Sequence, residues 1–73
     1  MVSEKIMLRW ERVIKGTCDP KFLGHCQSII TKRIEQHDYD IEGRAFRWSN
    51  GQLQTLKALI EERLTVLAVI ELL

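Results

Sequence analysis

Apolar positions recur with a helical period over most of the chain. Ile6, Met7, Trp10, Val13 and Ile14 follow one another at spacings of three and four, which puts them on one face of a helix over about residues 3–15. Glu4, Arg9, Arg12 and Lys15 fall outside that stripe. Ser3 is a natural N-cap, and Lys15-Gly16 reads as a stop, a cation followed by a residue that tolerates a left-handed backbone. A second helix, about 20–36, is announced by Asp19-Pro20, a capping side chain ahead of a proline suited to the first helical position. Its apolar set is Phe22, Leu23, Cys26, Ile29, Ile30 and Ile34, and Gly24 inside it suggests close approach of a neighbour.

Residues 38–48 lack a period and read first as a loop that packs its aromatics inward, with a short extended piece as the alternative. The third helix, about 49–72, starts with a capping box at Ser49-Asn50-Gly51-Gln52, with Trp48 and Leu53 in the two positions of a hydrophobic staple. Leu53, Leu56, Ile60, Leu64 and Leu67 form its central stripe, Leu59, Val66 and Ile70 widen one edge, and Arg63 interrupts that edge. Between Leu64 and Leu73 only Thr65 and Glu71 are polar, so this helix is apolar all round at its end. Three helices in 73 residues cannot easily enclose such a segment.

The pattern therefore predicts an all-α fold, a single-domain three-helix bundle spanning residues 1–73 and dimerising through its last helix. Trp10, Phe22, Cys26, Ile30, Trp48, Leu53, Leu56, Ile60 and Leu64 are the expected core. At this size only about 60–65% of the unfolded chain's surface is buried on folding, so small domains often add self-association. Composition sharpens the picture little: 45% hydrophobic and 29% charged is ordinary for a globular protein.

The net charge of +1 gives no global steering toward nucleic acid, but it is unevenly placed. Residues 1–37 carry seven Lys/Arg against four Asp/Glu, and residues 38–73 carry four against six. The Met-Val-Ser-Glu-Lys start has no apolar signal region, which makes the cytoplasm the expected compartment, with both cysteines reduced.

Candidate chemistry is sparse. Cys18, His25, Cys26 and His37 are zinc-ligand types, but Cys26 and His37 would lie about 16 Å apart along one helix, at about 1.5 Å per residue. No metal or cofactor is expected, and no Cys18–Cys26 disulfide. Asp38, Asp40 and Glu42 lack the glycine and distal glutamate of a calcium loop. Without a phosphate loop, nucleophile elbow or HExxH motif, neither an enzyme nor a small-molecule substrate is expected.

Two binding readings remain. The favoured one is a non-enzymatic protein–protein interaction module, a homodimeric adaptor or regulator that also meets another protein. Its interface would comprise Leu64, Val66, Leu67, Val69, Ile70, Leu72 and Leu73, where contiguous apolar surface marks a contact. The alternative is a small nucleic-acid-binding regulator using Arg9, Arg12, Lys15, Lys32 and Arg33 of the first two helices with Arg44 and Arg47, which interleave with Phe46 and Trp48. Helices one and two could imitate a helix-turn-helix, yet the second begins Pro-Lys-Phe-Leu-Gly-His, poor in base-reading side chains. A membrane contact is not expected, since Arg63 alone flanks the apolar segment and there is no basic polar face.

Overall fold

A computed structural model describes residues 2–38, 41 and 48–73. It contains three helices, α1 (Glu4–Gly16), α2 (Pro20–Glu35) and α3 (Asn50–Leu72), and no strand among the described residues. The fold is the all-α three-helix bundle that the periodicity predicts, with each helix start set by a local device. The Ser3 hydroxyl accepts from Ile6 N–H, and the Asp19 carboxylate accepts from Lys21 N–H at 3.0 Å, ahead of Pro20. At α3 the capping box is complete: Ser49 Oγ accepts from Gln52 N–H, and Gln52 Oε1 accepts from Ser49 N–H, both at 3.0 Å. Trp48 and Leu53, the staple pair, are both buried.

Two long-range hydrogen bonds give the helix directions. Gln52 Nε2 donates to the Val2 carbonyl at 3.0 Å, tying the start of α1 to the start of α3. Arg63 Nε donates to the Thr17 carbonyl at 2.9 Å, tying the end of α1 to a point eleven residues further along α3. Hence α1 runs alongside α3 in the same direction, and α2 returns between them in sequence. Both α1 and α2 pack on α3, and they share no comparable interface with each other.

The core is Val2, Ile14, Leu23, Cys26, Ile30, Trp48, Leu53, Leu56 and Ile60. Trp10 and Leu64 pack against it but stay partly exposed, so they belong to its edge rather than its centre. Trp10 meets Trp48 edge to face, with centroids 5.6 Å apart and planes at 86°, a favoured aromatic geometry. The Trp48 indole N–H is buried without a hydrogen-bond partner. Among the described residues no charged or polar side chain is buried.

Phe22 is a correction. It is 38% exposed, and Leu23 is buried in its place. Two stripes share Cys26, and the one through Phe22 ends on Arg33, whose charge cannot be buried cheaply unpaired, whereas the one through Leu23 continues to Ile30 and Ile34.

The two glycine readings also change. Gly16 is the last residue of α1 and not left-handed, because Thr17, an extended C-cap, turns the chain instead. The left-handed position belongs to His37, at φ 54°. There Asp38 N–H donates to the Arg33 carbonyl and His37 N–H to the Ile34 carbonyl, the paired bonds of a Schellman motif. An ion pair between Arg33 and Asp38 clasps the same turn from outside. Gly24 supports no close approach, since a Cβ built there meets nothing within 4 Å. Gly24→Ala should therefore stabilise the fold by about 0.5–1 kcal/mol, the helical cost of glycine. Urea or thermal unfolding followed by circular dichroism checks this, and a loss of stability would contradict the open site.

Candidate interaction surface

Among the described residues, the end of α3 carries the largest group of exposed apolar side chains. Its buried residues are Leu53, Leu56 and Ile60, all in the stretch that α1 flanks. Beyond Arg63, ten residues continue for about 15 Å at the α-helical rise. Leu64 and Leu67 still pack against the core, on the side of the central stripe. Val66 is 40% exposed, Val69 52%, Ile70 55%, Leu72 88% and Leu73 fully exposed. So five of the seven expected interface residues lie open to solvent, and two serve the monomer's own packing. Of the two polar residues in this stretch, Thr65 turns its hydroxyl onto the Glu61 carbonyl at 2.9 Å, which leaves Glu71 as the one side chain offering polarity outward.

Arg63 marks where the covered and uncovered parts meet. Besides the Thr17 carbonyl, its guanidinium reaches Cys18 Sγ at 3.7 Å. The α1–α2 connection is further held by Asp19 N–H donating to Thr17 Oγ1. A shallow depression lies beside this junction, lined by Lys15, Leu59, Glu62, Arg63 and Val66.

Among the described residues, the candidate nucleic-acid cations border three different depressions. Arg9 and Arg12 share the outer face of α1 with Lys5, around the exposed Leu8 and Val13. Lys15 instead borders the α3 depression, and Lys32 lies on α2 beside Gly24, Gln27, Ser28, Thr31 and Glu35. Arg33 is engaged by Asp38. Arg44 and Arg47 lie outside the described residues, as do Phe46, Asp40 and Glu42. Ile41 packs against the core, and Trp48 is buried in it.

Among the described residues no group of three or more His, Cys, Asp or Glu side chains is placed to share a metal ion. Nor is any helix among them long and apolar enough to cross a membrane. No protein-family model, curated protein or solved structure matches this chain.

The two cysteines are free and differ in surroundings, Cys18 exposed and Cys26 buried. Burial pushes the Cys26 thiol pKa up, because the apolar surroundings disfavour the thiolate. A thiol reagent at neutral pH should therefore titrate one cysteine, Cys18, in the folded protein and both after denaturation. Fast reaction of both thiols in the native state would contradict the packing of α2 on α3.

Proposed function

We propose that this chain is a non-enzymatic protein–protein interaction module that self-associates through the last turns of α3. The observation that carries the reading is the run of exposed Val66, Val69, Ile70, Leu72 and Leu73 beyond the end of α1. Size supports it as well. The chain exposes 5181 Å², against about 4,700 Å² for a compact monomer of its mass. Its radius of gyration is 12.5 Å, against about 11 Å for a compact chain of this length. Covering about 500 Å² of this surface on each of two copies would bury on the order of 1,000 Å², the scale at which a contact becomes a specific interface. Both thiols being unpaired fits a reducing compartment such as the cytoplasm.

Light scattering at micromolar concentration tests the reading. The wild type should be a dimer, and Ile70→Glu should weaken it about tenfold or more, or ~1.4 kcal/mol, while helicity below the melting transition stays unchanged. Ile70 is preferable to Leu67 as the site of the charge, because Leu67 also packs on the monomer's core. A monomeric wild type removes the proposal.

The outer face of α1 favours a second reading, nucleic-acid binding. Lys5, Arg9 and Arg12 share that face, and none of the residues lining its depression is acidic. Binding of this kind releases counterions and weakens steeply with salt, and Arg9→Ala with Arg12→Ala should lower the slope of log K against log salt by about two. Absence of any gel shift at low salt sinks this reading and leaves the first intact.

A further inference from the structure

We propose that the second copy docks antiparallel, with Val66 of both chains at the two-fold axis and the last turns of each α3 lying in the depression beside the other copy's α1. The inference rests on the self-association reading and adds its geometry. Leu59, Val66 and Leu73 are seven residues apart, so they fall on one stripe of α3, which Ile70 continues and Val69 borders. That stripe has a hollow at one end and a projection at the other. The hollow is the depression around Leu59, walled by Lys15 at the end of α1, and the projection is the ten-residue extension past Arg63. A two-fold axis at Val66 sets Leu59 of one copy level with Leu73 of the other, so each projection enters the opposite hollow. The same surface is thereby used twice, as a closed symmetric dimer requires.

Glu71, the single anion of the projection, lies about 140° round the helix from Val66 and stays outside the contact, so the surface that enters the hollow is apolar. A parallel pair would instead set hollow against hollow, bring Glu62 to the same height in both copies and crowd the two α1 ends together.

Engineered cysteines distinguish the two arrangements. On a Cys18→Ser background, Leu59→Cys and Leu73→Cys chains are mixed and oxidised, and the products are weighed without reduction. The mixed 59–73 crosslink should exceed the Leu73→Cys self-crosslink at least tenfold. A second mixture, Glu62→Cys with Ile70→Cys, uses two exposed positions and keeps the test decisive should Leu59→Cys fail to fold by circular dichroism. Dominant self-crosslinking at position 73, in a wild type that is dimeric by light scattering, overturns the antiparallel geometry and leaves self-association standing. A monomeric wild type overturns both.

Discussion

All three helices depend on the fact that α1 and α2 each pack on α3 and share no comparable interface with each other. A helix in that position must be apolar over a wider arc than a helix with one neighbour, because it serves two partners at once. The broad stripe of α3, from Leu53 and Leu56 through Ile60 with Leu59 at its edge, answers that demand. The same dependence makes the start of α3 decisive. Ser49, Gln52, Trp48 and Leu53 fix where the helix begins, and Gln52 also holds the Val2 carbonyl, so one residue sets the helix start and the attachment of the chain's first residues.

What could be read from the chain alone follows the range of the interaction. Caps at Ser3, Asp19 and Ser49 are local, and their side chains meet backbone groups two or three residues away, so the helix starts were legible to within one residue. Faces were legible only where one stripe was apolar throughout. On α2 two stripes compete for Cys26, and what separates Leu23 from Phe22 lies further along the helix, where one stripe meets Arg33 and the other Ile30 and Ile34. Val2 gave no sign of burial, because its partner Gln52 is fifty residues away. The turns reversed expectation for a related reason: a glycine permits a left-handed backbone without requiring it, and at His37 the paired hydrogen bonds of the α2 terminus impose one on a histidine.

The candidate surface was legible in outline and not in division. Ten residues with two polar side chains identified the anomalous segment, but the pattern could not apportion it. Leu64 and Leu67 are half claimed by the monomer, and Val66, Val69, Ile70, Leu72 and Leu73 are left over. Arg9, Arg12 and Lys15 read as one basic strip on the first helix, yet the fold sends Lys15 to the α3 side and Arg9 and Arg12 outward.

Arg63 looked like an interruption of an apolar edge, and its surroundings give that interruption a cause. A helix concentrates about half a negative elementary charge at its C-terminus, where the last carbonyls lack partners. Because α1 runs the same way as α3, that negative pole arrives partway along α3 rather than at its end. The Thr17 carbonyl meets the Arg63 guanidinium at that height. A cation is therefore what α3 must offer there, and its place in the sequence works as a gauge for the length of α1. One turn earlier or later, about 5 Å, and the charge would face the side of its neighbour instead of the pole.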